Sequence, residues 1–328
     1  MLVTGPNGAG KTNLLESLHV GTQGFSPRTR SDRQLVRWGA SSSRITLAGE
    51  RGGVATSVDV TIAPAEGRQA RLNGATLRST EALRGELPTL VFTPDRLAVV
   101  KGGPAARRAY FDRSLGRLFP ARAALPLEYG AAVAQRNAAL RRVASGLSGH
   151  DALGPWTEHV AALGAELVAG RIELLELLAG PFADRAAELG LAGAVLEYVG
   201  EPVSRKELEA RLPRDLERGV TGAGPHLDDV SIRAGERELR SFGSQGEQRL
   251  AVLSLLLAEA ELVTARRGVP PLLLLDDVLS ELDADRRRAL GTRLAGDGQA
   301  IVTATGADAL PLEPAQVLVV RPGYAEAA

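Results

Sequence analysis

The chain has 328 residues, a mass of 34.4 kDa and equal numbers of basic and acidic residues, 39 of each. Hydrophobic residues make up 44% of it, which is typical of a globular protein with a full core and excludes disordered and collagen-like classes. With no net charge, any nucleic-acid partner must use a local basic patch. The apolar run Leu250–Leu257 is too short to span a bilayer, no signal peptide is recognisable before Gly5, and cysteine is absent, so we expect a cytoplasmic protein without a membrane partner.

A phosphate-binding loop stands at the start of the chain. Residues 5–12 read G-P-N-G-A-G-K-T, which matches G-x-x-x-x-G-K-T, and residues 13–18 predict a helix directly after it. Glycines let backbone N–H groups face phosphates, Lys11 reaches the β- and γ-phosphates, and Thr12 gives a hydroxyl to Mg²⁺. A glycine-rich turn before an ordinary helix is the alternative. The predicted ATP-binding residues of the loop are Gly5, Pro6, Asn7, Gly8, Ala9, Gly10, Lys11 and Thr12.

The next hundred residues predict a loop and then strands. Residues 25–39 carry four arginines in polar surroundings and predict a loop with a short helix near the nucleotide. Strands are predicted at Ser43–Leu47 and Val54–Ile62, joined by a hairpin turn at residues 50–53. The alternation of the second strand indicates a half-exposed antiparallel sheet. Residues 87–93 predict a further strand.

From about residue 104 to residue 218 the pattern is helical. Pro104 is placed to open a helix after two glycines. Breaks are predicted at residues 146–149, at Gly180-Pro181 and at Gly190, so we expect several helices without a long coiled coil. One long helix has an apolar face made of Val160, Leu163, Leu167, Leu174 and Leu178.

The last third predicts a parallel sheet. Residues 270–275 form a short apolar run that ends in Asp276 and Asp277, as a strand buried on both faces does. Two more such strands are predicted at residues 300–304 and 317–320, and a helix at residues 283–294.

The acidic pair complements the phosphate loop. Asp276 is predicted to hold Mg²⁺ together with Thr12, and Asp277 to orient or deprotonate the attacking water. Lys11, Asp276 and Asp277 are therefore the predicted catalytic residues. A helix N-cap is the alternative role for each acid, although Asp283 is the better cap candidate. Because Lys11 and Asp276 are 265 positions apart, the two ends of the chain must close one nucleotide core around a large insertion.

A second anion-binding stretch is Ser244-Gln245-Gly246-Glu247, at the head of an apolar helix over residues 250–263. Serine and glycine expose backbone N–H groups at a helix N-terminus. Since the loop and Asp276 already line one pocket, Ser244 and Gly246 are predicted to bind the ATP of a neighbouring copy, in an ATP-dependent homodimer.

The order of these motifs resembles the ABC-type ATPase heads of SMC and Rad-type repair proteins, and among them the RecF family. The resemblance covers nearly the whole chain. It implies an α/β fold with a mixed sheet that has a parallel core, plus an inserted, mainly helical lobe. The implied head is residues 1–103 and 224–328, and the implied lobe is residues 104–223. The family blocks are Pro94-Asp95, V-V-K-G-G-P at 99–104, R-R-A-Y-F-D at 107–112, G-P-H-L-D-D at 224–229 and L-L-D-D-V-L-S-E-L-D-A-D-R-R at 274–287.

The resemblance also implies a function. Family members are ATP-dependent DNA-binding proteins of recombinational repair and replication restart, which bind single-strand–duplex junctions as ATP-gated dimers with slow hydrolysis and act with RecR and RecO. Two alternatives stay open from the residues alone. One is a transporter-type or other P-loop ATPase that does not act on DNA, and the other is a nucleotide-binding structural protein without hydrolysis.

The chain departs from the family pattern at several places. First strands that the family has before the loop are missing, which predicts a start codon placed too late or a truncation. Glu247 occupies the position where the family has its signature glutamine, and Asp277 occupies the position of the usual glutamate. Threonines within residues 301–305 replace the switch histidine. Leu227 stands where the family usually has arginine.

Some motif residues also have structural interpretations. Arg107 and Arg108 are as compatible with surface ion pairs as with a specific role. Tyr110 and Phe111 are predicted to pack their helix. His226 lacks a second histidine nearby, so a loop hydrogen bond is expected before a metal site.

Overall fold

The computed structural model describes residues 1–296, 298–306, 309–311 and 313–328. Its strands are β1 (Leu2–Thr4), β2 (Ser43–Arg51), β3 (Val54–Ala63), β4 (Gly67–Leu72), β5 (Ala75–Thr76), β6 (Thr89–Phe92), β7 (Ala194–Val199), β8 (Asp229–Ala234), β9 (Arg237–Glu238), β10 (Leu272–Leu275), β11 (Ala300–Ala304), β12 (Val317–Arg321) and β13 (Tyr324–Ala327). Its α-helices are α1 (Lys11–Gln23), α2 (Leu83–Glu86), α3 (Ala98–Lys101), α4 (Pro104–Leu118), α5 (Leu125–Ala144), α6 (Gly154–Glu188), α7 (Arg205–Ala210), α8 (Leu212–Arg218), α9 (Leu239–Phe242), α10 (Gln245–Arg267) and α11 (Ala284–Leu294). Within these ranges no helix is long and apolar enough to span a membrane.

The chain forms two compact units. The first comprises residues 1–97, 185–191 and 245–328, and the second comprises residues 98–184 and 192–244. Residues 224–244, which the sequence assigned to the ATPase head, group with the second unit. The functional domain boundaries at residues 103 and 224 stay a prediction.

The first unit is built on a six-stranded sheet in the order β13-β12-β1-β11-β10-β6. Every neighbouring pair is parallel except β12 and β13, which confirms the predicted mixed sheet with a parallel core. Parallel strands end at the same edge of a sheet. The residues that follow β1, β10 and β11 therefore share one edge.

Apolar side chains explain why the central strands form. Leu274 and Leu275 of β10 are fully buried, as the continuous apolar run predicts for a strand covered on both faces. They belong to a core that also holds Val3 of β1 and Leu15 of α1. This core packs the helix that follows the phosphate-binding loop directly against the sheet.

A second, antiparallel sheet in the first unit has the order β2-β3-β4-β5. Gly52 and Gly53 join β2 to β3 with φ of +55° and +79°, the backbone that a two-residue hairpin turn requires. Val58, Val60 and Ile62 of β3 are buried. The predicted hairpin and its half-exposed alternation are therefore confirmed.

The second unit combines helices with the antiparallel sheet β7-β8-β9. Pro104 is the first residue of α4, as predicted. The breaks near Gly146 and Gly190 are confirmed, because both glycines follow a helix end with positive φ. The predicted break at Gly180-Pro181 is wrong.

Helix α6 runs through Pro181 without ending. Proline removes one helical hydrogen bond, at a penalty of roughly 3 kcal/mol in a helix interior. Continuing the helix buries Leu178 and Phe182 almost completely, and each such side chain stabilises the fold by roughly 1.5–3 kcal/mol. Apolar burial on both sides of the proline therefore outweighs the lost hydrogen bond.

Buried arginines hold the second unit together. The Arg107 guanidinium donates to both carboxylate oxygens of Asp229, at 2.7 and 2.6 Å. Arg107 is buried, so of the two interpretations left open it makes an ion pair, but inside the unit and not on its surface. Arg136, with no exposed surface, donates to Asp215 at 2.8 Å. Tyr110 and Phe111 are buried and meet edge to face, which confirms their packing role.

His226 makes the loop hydrogen bonds that the sequence predicted. Its Nε2 lies 3.0 Å from the Thr221 carbonyl oxygen, which only accepts, so Nε2 carries the proton. The Tyr129 hydroxyl therefore donates to Nδ1 at 2.7 Å. Burial, and next the positive charge of Arg108, lower the pKa of His226, although the Thr221 carbonyl opposes this shift.

We predict that His226 makes stability depend on pH. The unfolded chain takes up a proton at the ordinary histidine pKa of about 6.5, above the lowered native pKa, so this contribution is full above pH 6.5 and declines as pH falls below it. His226→Gln should flatten the decline in the free energy of unfolding below about pH 6.5, measured by urea denaturation with Trp156 fluorescence. His150→Gln, at an exposed site, is the control. An unchanged slope in His226→Gln would contradict the assignment.

Candidate nucleotide-binding site

The phosphate loop hangs between β1 and α1, and the sheet fixes its first residue. β1 lies between β11 and β12, with Thr4 in register with Val319. Gly5 has a φ of +151°, and a Cβ built there would lie 2.4 Å from the Val320 carbonyl oxygen. Only glycine fits this approach, which explains the first glycine of the motif.

The rest of the loop presents backbone N–H groups. Gly8 and Gly10 have φ of +81° and +109°, and the Ala9 N–H closes the turn on the Pro6 carbonyl at 3.2 Å. Pro6, Asn7 and Gly8 are exposed at the loop tip. Gly10 caps α1 without a side-chain hydrogen bond, and the first turn of the helix has no acidic residue. This end of α1 can therefore accept a phosphate.

Lys11 lies back over its own loop. Its Nζ donates to the carbonyl oxygens of Gly5 at 2.7 Å and Pro6 at 3.1 Å. An ammonium has three donors, so two such contacts leave one for a further acceptor. This geometry holds a positive charge beside the N–H groups of the loop.

Asp276 is the buried carboxylate of the site. It follows β10 and is 5% exposed. Its Oδ1 accepts from the Thr12 hydroxyl at 3.2 Å and from the Thr303 hydroxyl at 2.8 Å. The structure thus brings together the two predicted magnesium ligands, although they are 264 positions apart in the chain. Hard oxygen donors of this kind fit Mg²⁺.

Asp277 differs from its neighbour in environment and backbone. It is exposed and has a φ of +51°, a left-handed conformation that costs a non-glycine residue roughly 1–2 kcal/mol. Its N–H donates to the Thr303 hydroxyl at 2.9 Å, and its carbonyl accepts from the Ser280 hydroxyl at 3.2 Å. These contacts hold the turn, so two adjacent acids are separated into one buried and one exposed carboxylate.

Sequence reasoning missed the role of Thr303. The sequence pattern indicates only that threonines occupy the position where a histidine is expected. In the structure the hydroxyl of this residue reaches Asp276 and the N–H of Asp277. Register explains the contact, because Leu275 pairs with Val302 and the next residues on the two strands are neighbours. The only sign of this role in the sequence is that Thr303 is a polar residue between apolar neighbours in β11.

Arg249 is a second residue that sequence reasoning missed. It lies in α10, is buried, and contacts the segment that follows Asp277. Its Nη1 lies 3.4 Å from the Ser280 hydroxyl and 3.8 Å from a Glu281 carboxylate oxygen. Its guanidinium carbon lies 5.9 Å from the centre of the Phe92 ring. Arg249 therefore connects α10 to the turn that carries Asp277.

Ser244 and Gly246 lie at the head of α10, as predicted. Ser244 directly precedes the helix, and Gly246 is in its first turn. The hydrogen bonds described above join the loop, Asp276, Asp277 and Thr303. The role of Ser244 and Gly246 in the site of a neighbouring copy stays a prediction.

We predict that Thr303→Val weakens magnesium-dependent nucleotide binding up to about thirtyfold, because two hydrogen bonds of about 1 kcal/mol each are lost around the acidic pair. Valine has the same shape, so the fold should persist. Thr303→Ser, which keeps the hydroxyl, is the matched control. The measurement is titration with a fluorescent ATP analogue with and without Mg²⁺. Equal affinities of Thr303→Val and wild type in Mg²⁺ would show that the threonine does not position the acids.

Comparisons with known proteins show the family to which the chain belongs. The sequence matches the family described as RecF/RecN/SMC N terminal domain over residues 1–320. It is 38% identical over 325 residues to the DNA replication and repair protein RecF of Myxococcus xanthus. The alignment covers 93% of this chain and 84% of that protein.

The structure of this chain is also similar to solved structures. A solved structure of the recombination mediator protein RecF-ATP in the RecFOR pathway is similar to this chain, with a TM-score of 0.87 and 27% identity. The alignment covers 100% of this chain and 91% of that chain. An Smc head bound to the C-winged helix domain of ScpA has a TM-score of 0.57 at 15% identity, with 100% of this chain and 88% of that chain covered. The Smc likeness shows a shared fold alone. The chain therefore belongs to the RecF/RecN/SMC N-terminal domain family and, within it, to the RecF proteins of DNA replication and repair.

Proposed function

We propose that this chain is an ATP-switched DNA-binding protein of recombinational repair and replication restart, which binds single-strand–duplex junctions. The observation that carries the proposal is the contact between Thr12 and Asp276 at 3.2 Å. It places a hydroxyl and a carboxylate beside a loop whose N–H groups and Lys11 suit phosphates. Similar solved structures are those of RecF-ATP and RecF-ATPrS, which supports ATP as the nucleotide.

Each residue of the site has a role in this proposal. The loop and the start of α1 bind the phosphates, and Lys11 neutralises the β- and γ-phosphates. Thr12 and Asp276 would hold Mg²⁺, which when bound neutralises phosphate charge. Asp277, on its exposed turn, orients or deprotonates the attacking water. Its short side chain makes hydrolysis slow, as a switch requires.

We further propose that ATP brings two copies of the chain together. The exposed head of α10, with Ser244 and Gly246, completes the nucleotide site of the partner copy. A hydroxyl and backbone N–H groups at a helix start suit the terminal phosphate of a nucleotide. Membership of a DNA-repair family argues against the transporter-type alternative.

The proposed partners follow from the names of the relatives. The similar RecF structures are described within the RecFOR pathway, which supports RecR and RecO as functional partners in the cytoplasm. ATP turnover measured without DNA, with duplex and with gapped DNA tests the function as a whole. ATP turnover that gapped DNA stimulates more than duplex DNA does supports the proposal. ATP turnover that is the same without DNA and with either form of DNA contradicts it.

We predict that Lys11→Met abolishes ATP-dependent DNA binding and weakens ATP binding roughly ten- to hundredfold. A charged hydrogen bond to phosphate is worth about 1.5–3 kcal/mol, and methionine keeps only the apolar stem. Lys101→Met, which removes an exposed lysine elsewhere, is the control. The measurement is ATP affinity by titration, together with circular dichroism to show that the variant folds. Unchanged ATP affinity in a folded Lys11→Met protein would rule out the assignment.

We predict that Ser244→Arg and Asp277→Asn separate dimerisation from hydrolysis. Arginine at position 244 places bulk and charge against the partner's nucleotide, so ATP should bind while dimerisation, hydrolysis and DNA retention fall together. Asp277→Asn should block hydrolysis and accumulate the dimer, because Asp276 still serves the metal. Sedimentation of both variants with ATP is the measurement. A Ser244→Arg protein that dimerises as wild type does would exclude the shared site.

A further inference from the structure

An exposed tryptophan lies in an arginine-rich loop of the first unit. The Trp38 side chain is 94% exposed, although its indole is among the largest apolar groups available to a core. The loop connects α1 to β2. One exposed apolar residue needs no explanation on its own, so the inference depends on how the fold presents Trp38 and on what surrounds it.

A β-turn presents the indole. The Ala40 N–H donates to the Arg37 carbonyl at 3.0 Å, and Gly39 has a φ of +82°. This pattern places Trp38 at the first corner of a turn whose second corner requires glycine. Val36, just before the turn, is buried in the core beneath β3. The chain therefore anchors an aliphatic residue and projects the aromatic one.

Polar contacts hold the loop in place. Arg68 donates to Asp32, with Nε at 2.9 Å from the carboxylate, and also to the Gly24 carbonyl. The Ser26 hydroxyl accepts the N–H groups of Arg28 and Thr29, both at 3.0 Å. These contacts hold the first part of the loop, while buried Val36 and the Arg33 hydrogen bond to the Ala40 carbonyl at 3.4 Å hold the part that carries Trp38. A loop held in this way loses little conformational entropy when it binds a ligand.

The loop contains arginines that are not neutralised by a carboxylate. Asp32 is paired with Arg68, and Arg28 lies 3.3 Å from Glu16. Arg30 and Arg37 are exposed, and among the residues that the structure describes no carboxylate pairs with either. Arg33 donates to the Ala40 carbonyl at 3.4 Å and has no carboxylate partner among the described residues either. Three arginines without an ion pair thus lie in the same loop as an exposed indole. On a chain of zero net charge, this is the local basic patch that a polyanion requires.

We propose that Trp38, Arg37 and Arg30 form a contact site for single-stranded nucleic acid. The indole stacks on an unpaired base, and the guanidinium groups pair with backbone phosphates. Stacking needs a base free of its duplex, so the site takes the single-stranded side of a junction. The inference rests on the proposed function and names the surface that carries part of it. The arginines of this loop that lack a carboxylate partner favour a polyanion as the occupant.

The chain offers an intrinsic probe for the test. Its only tryptophans are Trp38 and Trp156, so Trp156→Phe leaves Trp38 as the single reporter. The full chain with ATP and Mg²⁺ is titrated with oligothymidylate while indole fluorescence and the anisotropy of the labelled oligonucleotide are followed. We expect quenching that follows binding. Trp38→Ala should weaken binding about 5- to 150-fold without changing the urea midpoint, because the side chain is exposed.

Matched variants sharpen the result. Arg37→Gln and Arg30→Gln should each lower the slope of log affinity against log salt by about 0.7. Tyr324→Ala removes another exposed aromatic of the first unit, and Arg44→Gln removes an arginine already paired with Asp59, so both should bind as wild type does.

The outcomes distinguish this site from the function on which it rests. If wild type binds DNA and Trp38→Ala binds equally well, the inference is overturned while the proposed function stands. If Trp38→Ala keeps its DNA affinity but no longer dimerises with ATP, the surface binds protein and the inference is likewise overturned. If wild type binds no form of DNA in the presence of ATP, the proposed function is overturned, and the contact site that rests on it is overturned with it.

Discussion

The nucleotide site depends on one buried carboxylate and the strand order that makes its burial possible. An isolated charge in a protein interior is strongly destabilising, so Asp276 must be hydrogen-bonded by its neighbours or by a cation. The parallel order β10-β11-β1 supplies Thr303 from the adjacent strand, and the loop after β1 supplies Thr12. Because these residues follow or end parallel strands, they meet at one edge of the sheet. Two distant parts of the chain thereby build one site.

How much of this site the sequence predicts depends on the range of the interaction. The phosphate loop, the acidic pair and the N-cap Asp283, which accepts the Arg286 N–H at 2.9 Å, are local patterns of residue type and spacing. Local chemistry is enough to predict them. Thr303 was missed because its role follows from the register between β10 and β11, which no local pattern records. The continuous helix through Pro181 was missed for a related reason, since the burial that stabilises it comes from tertiary packing.

The second unit shows how loops can be held by arginine. The Pro225 carbonyl accepts from Arg171 at 2.7 Å, the Asp228 carbonyl from Arg108 at 2.6 Å, and Arg107 clamps Asp229. A planar guanidinium satisfies a carboxylate and a carbonyl at once, which an ammonium does less well. The segment around Leu227 is therefore fixed by its neighbours, while Leu227 itself is 57% exposed. An arginine at this position would change the surface charge of the loop without being needed for its conformation.

The same distinction decides which basic residues of this neutral chain are open to the polyanion that we propose as its partner. Most basic residues are arginines, and those buried in the second unit are neutralised by partners such as Asp112, Asp215 and Asp229, so they contribute little field to the surface. Only cations without such partners remain to attract phosphate. The proposed DNA contact depends on such cations in one loop, so we expect it to be sensitive to salt. Stacking on an aromatic side chain adds affinity that salt does not screen, and it does so only where a base is unpaired. In the proposed contact, we therefore expect the loop around Trp38 to favour a single strand over a duplex, because the duplex offers it phosphates but no unpaired base for the indole to stack on.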